Sequence, residues 1–197
     1  MTTHTLPTVY LARHGETAWS KSGQHTGRTD IPLTPKGEAD AVKIGTRLAG
    51  IDFAHVFSSP LQRARRTAEL AGFTPTPEPE LLEWDYGRHE GLKTVQIRET
   101  WPGWDLFRDG APGGESVDAI CARIDGLVAR LKALSGNVLL FAHGHVLRVL
   151  TARWVGQPVP FGRALLLSTA TVSILGFDHH TMDEPAIKLW NDDRHLQ

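Results

Sequence analysis

The chain has 197 residues, 41% of them hydrophobic and 22% charged, a globular composition long enough to bury a sizeable core. Lys and Arg number 21 against 22 Asp and Glu, a net charge of -1 with histidines neutral. That balance argues against a protein whose main business is holding nucleic acid or an anionic membrane, so any basic site must be local. The single Cys121 cannot form an intrachain disulfide and reads as a small buried hydrophobe. No apolar run approaches bilayer length, and Met1 to Ala12 lacks the basic start of a secretory leader. The expected compartment is the cytoplasm.

Thr8 to Ala12 reads as a buried strand running into Arg13-His14-Gly15. Residues 16 to 33 are polar and read as a surface loop. Thr34-Pro35 is an N-cap with proline at the first helical position, and Ala41, Ile44 and Leu48 share one helix face that Gly50 ends. A second strand, Ala54 to Ser58, leads into Ser59-Pro60, where Ser59 reads as the cap of a helix reaching about Ala71. Pro75, Pro77 and Pro79 exclude a helix over 74 to 80, and Leu81 to Glu83 follows as a short strand or its exit. A short helix is expected from Lys93 to Trp101, and Pro102 to Gly114 reads as a loop.

Ser116 starts the clearest helix, with Val117, Ile120, Ile124, Leu127, Leu131 and Leu134 on one continuous face. Asn137 to Ala142 is a buried strand ending in His143-Gly144-His145, followed by a helix from about Val146 to Trp154. Thr171 to Phe177 and Ala186 to Trp190 read as a final strand pair. Strands alternating with helices imply a layered α/β fold around a largely parallel sheet. No linker or repeat interrupts it, so residues 1 to 197 read as one domain.

Ligands of open α/β sheets bind outside the carboxyl ends of the strands. Three strands here end in chemically capable residues: Arg13-His14-Gly15, Ser58-Ser59-Pro60 leading to Arg63, and His143-Gly144-His145. As parallel neighbours they would gather histidines, arginines and two helix N-termini, a setting for phosphate. Each piece alone has a plainer meaning. His14 could be a hydrogen-bonded structural histidine, Arg63 a solubilising arginine beside Arg65 and Arg66, Gly15 and Gly144 turn residues. His143 and His145 are also spaced for a metal, although no consistent set of further ligands accompanies them.

Leu11-Ala-Arg-His-Gly-Glu-Thr-Ala-Trp19 resembles the signature of the histidine phosphatase superfamily, which contains cofactor-dependent phosphoglycerate mutases and many phosphatases. Ser59 to Ala64, Glu83 with Tyr86-Gly87 and Glu90-Gly91, and Phe141 to His145 resemble its remaining motifs. Trp19 to Gln24, Thr26-Gly27, Thr29-Asp30 and the late His179-His180 are most similar to the branch containing fungal sedoheptulose-1,7-bisphosphatase. The resemblance implies a three-layer α/β/α sandwich, mostly parallel with an antiparallel element. It also implies a catalytic core of His14, Glu83, Arg13, Arg63 and His143. His14 would be the nucleophile, Glu83 the proton carrier, and Arg13, Arg63 and a cationic His143 the phosphoryl ligands.

For substrate binding the resemblance points to Gln24, His25, Thr26, Tyr86, Gly144, Arg148 and His180, with Glu16 and Glu90 as other carboxylates nearby. It implies no metal and no cofactor, a small phosphate ester as partner, and in many members a homodimer. The expected activity is that of a phosphatase. The alternatives are mutase-type phosphoryl transfer and a phosphate-binding module without turnover.

Overall fold

The computed structural model describes residues 5–197; the first four residues of the stretch weighed above as a leader lie outside the described residues. The strands are β1 (Thr8–Arg13), β2 (His55–Ser58), β3 (Thr76–Pro77), β4 (Asn137–Ala142), β5 (Val172–Phe177) and β6 (Pro185–Asp192). They form one sheet in the order β3-β2-β4-β1-β5-β6. β3, β2, β4 and β1 run parallel, whereas β5 is antiparallel to both β1 and β6. The helices are α1 (Ala18–Ser22), α2 (Pro35–Leu48), α3 (Gln62–Leu70), α4 (Thr94–Thr100), α5 (Leu106–Asp109), α6 (Val117–Lys132) and α7 (Gly144–Trp154).

The pleat sends alternate side chains of the central strands into two separate cores. Val9, Leu11, Val138 and Leu140 pack with Ile120, Ile124 and Leu127 of α6 and with Val146 and Leu150 of α7. Ala12, Leu139 and Phe141 pack on the other face with Ile44 and Leu48 of α2 and Ala68 of α3. Layers of helix, sheet and helix result. β4 lies inside both cores, which is why its sequence is an unbroken apolar run rather than an alternating one.

The local reading departs from the structure at four places. α1 falls inside the expected loop: Thr17 and Ser20 exchange side-chain and backbone hydrogen bonds at its start, and it buries no residue, so no apolar period announces it. α5 interrupts the glycine-rich loop, capped by Asp105 Oδ1 on the Phe107 amide. Before Glu83 lies a 3-10 turn, Pro79–Leu81, instead of a strand. Cys121 is half-buried, with its thiol toward Asp125, instead of being a fully buried hydrophobe.

Because β1, β2 and β4 are parallel, their carboxyl ends meet at one edge of the sheet. The opposite sense of β5 pairs Ala12 with Val172 and Val9 with Leu175, which carries the β5–β6 hairpin to the other edge. Among the described residues no helix is long and apolar enough to cross a membrane.

Candidate active site

His14 follows β1 and is pinned on both sides, its amide donating to Ala142 O and its carbonyl accepting from the Ala170 amide. Gly15 is required by close approach: a Cβ there would stand 2.3 Å from Gly37 O, where α2 begins. The His14 ring donates through Nδ1 to Gly15 O at 2.7 Å, which fixes the tautomer and leaves the lone pair on Nε2. Burial, together with the charges of Arg63 and Arg13, pushes its pKa well below the ordinary histidine value. The ring is therefore neutral, the state in which a histidine can act as a nucleophile.

Arg13 extends beside it. Its Nη1 donates to Leu167 O at 2.5 Å, while Nε is buried and has no hydrogen-bond partner. A buried, unpaired guanidinium donor is costly and is the natural complement of an oxyanion. The guanidinium lies over Gly144, where a Cβ would come within 3.3 Å of Arg13 Cζ.

Arg63 and His143 form the floor. Arg63 Nε donates to His143 Nδ1 at 3.0 Å, and its Nη groups donate to the carbonyls of Thr29, Thr26 and Gly27. His143 Nε2 meets Ser59 Oγ at 2.8 Å. Two expectations are corrected here. His143 accepts at Nδ1, and burial and Arg63 push its pKa well down, so it is a neutral ring and not an imidazolium. Ser59 lends its hydroxyl chiefly to His143; the amide of Gln62, the first residue of α3, is met by Asp30 Oδ1 at 2.8 Å.

Glu83 takes three backbone amides: Trp84 and Val146 on Oε1, at 2.9 and 2.8 Å, and His145 on Oε2 at 3.0 Å. Two of these belong to the first turn of α7, whose positive end suits a carboxylate. Tyr86 is buried, and its hydroxyl lies 2.5 Å from His145 Nδ1. Glu16 and Glu90 serve the loops instead, Glu16 accepting from Thr34 and Glu90 from the amides of Gly27 and Thr29.

These groups surround a cavity of about 80 Å³. Arg13, His14, Glu83, Gln24, His25, Thr26, Tyr86, Gly144 and Arg148 all line it. Arg63 and His143 are fully buried beneath it. Ser20 and Leu167, not expected at the site, also line it, as does His145, which the sequence placed at this strand end without a role in binding substrate. A second cavity of about 200 Å³ shares His25, His145 and Arg148 with the first and adds Trp104, Phe107, Arg98 and Arg163.

His180 is a misplacement: it lines a different cavity with Leu6, Phe177 and Lys188, at the edge of the sheet to which β5 carries the hairpin. The metal reading of His143 and His145 does not fit the donors. Arg63 and Ser59 take both ring nitrogens of His143, and Tyr86 takes Nδ1 of His145. Among the described residues, the group of His and carboxylates close enough to share an ion is Asp178, His179 and Glu184, exposed on that distant hairpin.

Comparison with known proteins settles the family. The family model of the histidine phosphatase superfamily (branch 1) matches residues 9–193. The chain belongs to that superfamily. It is 44% identical over 176 residues to an acid phosphatase of Mycobacterium tuberculosis, with 87% of each chain covered. It is 30% identical to the sedoheptulose 1,7-bisphosphatase of Saccharomyces cerevisiae, covering 93% of this chain and 92% of that one. A solved structure of an open reading frame product from Mycobacterium tuberculosis superposes with a TM-score of 0.88 at 39% identity, covering 93% of this chain and 96% of the other. The layered fold of this superfamily member is thus the phosphoglycerate mutase-like one that its motifs imply.

Proposed function

We propose that this single-domain chain is a metal-independent phosphomonoesterase acting through a phosphohistidine on His14. Its substrate would be a small phosphorylated metabolite such as a sugar phosphate or bisphosphate. The observation that carries the reading is the pairing of an open nucleophile with an unsatisfied cation. His14 has Nδ1 tied to Gly15 and Nε2 free, and the buried Nε of Arg13 beside it lacks an acceptor. Relatives named acid phosphatase and sedoheptulose 1,7-bisphosphatase support the reaction class.

The lone pair on His14 Nε2 attacks phosphorus, the bond from phosphorus to the ester oxygen breaks, and Glu83 gives that oxygen a proton. Water then attacks the phosphohistidine and returns a proton to Glu83, the P–N bond breaks, and phosphate leaves. Arg13 binds the phosphoryl oxygens. Arg63 acts from the floor, where its charge is felt at His14, and stabilises the negative charge that develops on the phosphoryl group. The leaving group extends past His145 and Arg148 into the larger cavity.

Phosphate release from a panel of sugar mono- and bisphosphates and phosphoglycerates tests the reading, with His14→Ala alongside. The expected result is turnover that disappears with His14, accompanied by an acid-labile phosphoryl label on the wild-type protein alone. Undiminished turnover in His14→Ala would remove the central claim.

A further inference from the structure

Two side chains in the wall of the site make a contact that the proposed reaction does not require. Tyr86 Oη lies 2.5 Å from Nδ1 of His145, and the same Nδ1 stands 3.9 Å from Oε2 of Glu83. His145 Nε2 has no hydrogen-bond partner and does not count among the buried unsatisfied atoms, so it is open to the space its ring lines. That space is the junction of the two cavities, where the ester oxygen of a bound substrate passes into its leaving group.

We infer that Tyr86 is a positioning residue for His145. Its hydroxyl donates to Nδ1, holds the ring as the Nε2–H tautomer, and so turns a hydrogen-bond donor toward the leaving group. The inference rests on the proposed role of Glu83 and names a second group that reads the substrate. Without that hydroxyl, Nδ1 would be free to carry the ring hydrogen itself and donate it to the Glu83 carboxylate. Nε2 would then face the leaving group as an acceptor instead of a donor.

The remaining surroundings of His145 agree. Burial and the charges of Arg148 on its own helix, His25 of the first loop and Arg13 of β1 hold it well below the ordinary histidine pKa. Phe107, with ring centroids 5.4 Å apart, offers no charge. Burial and the charge of Glu83 push the Tyr86 phenol well up, so it retains the proton it donates. With Tyr86 as donor, Nδ1 must be the acceptor and Nε2 the protonated nitrogen. The ligand class that fits such an N–H is an ester whose leaving group carries a hydroxyl or ether oxygen next to the scissile bond.

Two measurements test the inference. The first is ¹⁵N NMR of the histidine rings in the wild-type protein at about pH 7, with the His145 signals assigned by their loss in His145→Gln. Nε2–H and an acceptor Nδ1 are expected; the opposite tautomer or an imidazolium overturns the inference whatever the enzyme does. The second is the same spectrum of Tyr86→Phe together with its kcat and KM. The His145 signals should lose the fixed Nε2–H pattern and gain Nδ1–H character, and kcat should fall about tenfold on a sugar phosphate and much less on p-nitrophenyl phosphate.

A loss of kcat with the His145 tautomer unchanged in Tyr86→Phe assigns Tyr86 a packing role and overturns the proposal. Failure of the parent reading looks different, since turnover would then survive His14→Ala while the ring tautomer stayed as expected.

Discussion

The Nε–H of Arg63 donates to Nδ1 of His143 at 3.0 Å, and neither side chain has any exposure to solvent. The pair is one cation and one neutral ring, roofed by His14, whose ring centroid is 5.1 Å from that of His143. The first loop is anchored to the same guanidinium through three carbonyls, so Arg63 joins the floor beneath His14 to one wall of the cavity.

Arg63→Met should therefore damage stability and rate together. It strands three carbonyls and the His143 acceptor, for which a loss of about 2–4 kcal/mol is expected in urea unfolding. It also removes the charge beneath the phosphoryl group, worth on the order of 100-fold in kcat. A variant with normal stability and normal kcat would deny Arg63 both roles.

The pH dependence follows from rings that are kept neutral. His14, His143 and His145 are held well below the ordinary histidine pKa, and His25 falls to about 4, chiefly through burial. In the unfolded chain each ring would protonate near pH 6.5. Below that value the unfolded state binds more protons, so stability is full above about pH 6.5 and declines as pH falls toward the folded values. Activity on an aryl phosphate should outlast the midpoint of free histidine, because neutral His14 persists there. Melting temperature and kcat/KM measured across the acid range check both; a rise in stability on acidification would contradict the neutral rings.

His14, its flanking Arg13 and both central strands were placed correctly from the sequence, because an apolar run ending in Arg13-His14-Gly15 or His143-Gly144-His145 needs no tertiary context to be noticed. His180 was not placeable, since the direction of a strand is not written in its own apolar pattern and the sense of β5 decides where its hairpin lies. The state of His143 was hidden for another reason. It depends on Arg63, 80 residues away in sequence, donating to one ring nitrogen, and motif spacing carries no information on tautomers. Leu167 contributes a backbone carbonyl to Arg13, a role that side-chain identity leaves unmarked.

Gly144→Ala probes the seat of Arg13. The new methyl would stand 3.3 Å from Cζ and 3.4 Å from Nε, tight enough that the guanidinium must shift by a few tenths of an ångström. Because phosphoryl transfer depends on that placement, kcat/KM should fall roughly tenfold while the unfolding midpoint stays close to wild type. A large loss of stability with unchanged kcat/KM per folded molecule would show that Gly144 serves the helix and not the arginine.

Chelation separates the proposed chemistry from metal-assisted hydrolysis. Arg63 and Ser59 occupy both ring nitrogens of His143 and Tyr86 one of the two of His145, so prolonged EDTA treatment should leave turnover unchanged. Activity lost to EDTA and restored by a divalent cation would return His143 and His145 to the role of ligands.

Glu83→Gln bears on both the architecture and the proton transfer. The carboxylate accepts from three amides, two of them in the first turn of α7. Glutamine has one oxygen and must turn an NH₂ toward at least one of those donors, so about 1–3 kcal/mol of stability should be lost. The proton-carrying role predicts a separate signature. Protonation of the leaving oxygen matters greatly for an alkoxide and little for a nitrophenolate, which departs unaided. The variant should therefore lose on the order of 100-fold or more in kcat/KM with a sugar phosphate and much less with p-nitrophenyl phosphate, in the same preparation and at the same pH. Equal losses on the two esters would leave Glu83 as an anchor of α7 and pass the proton to another group.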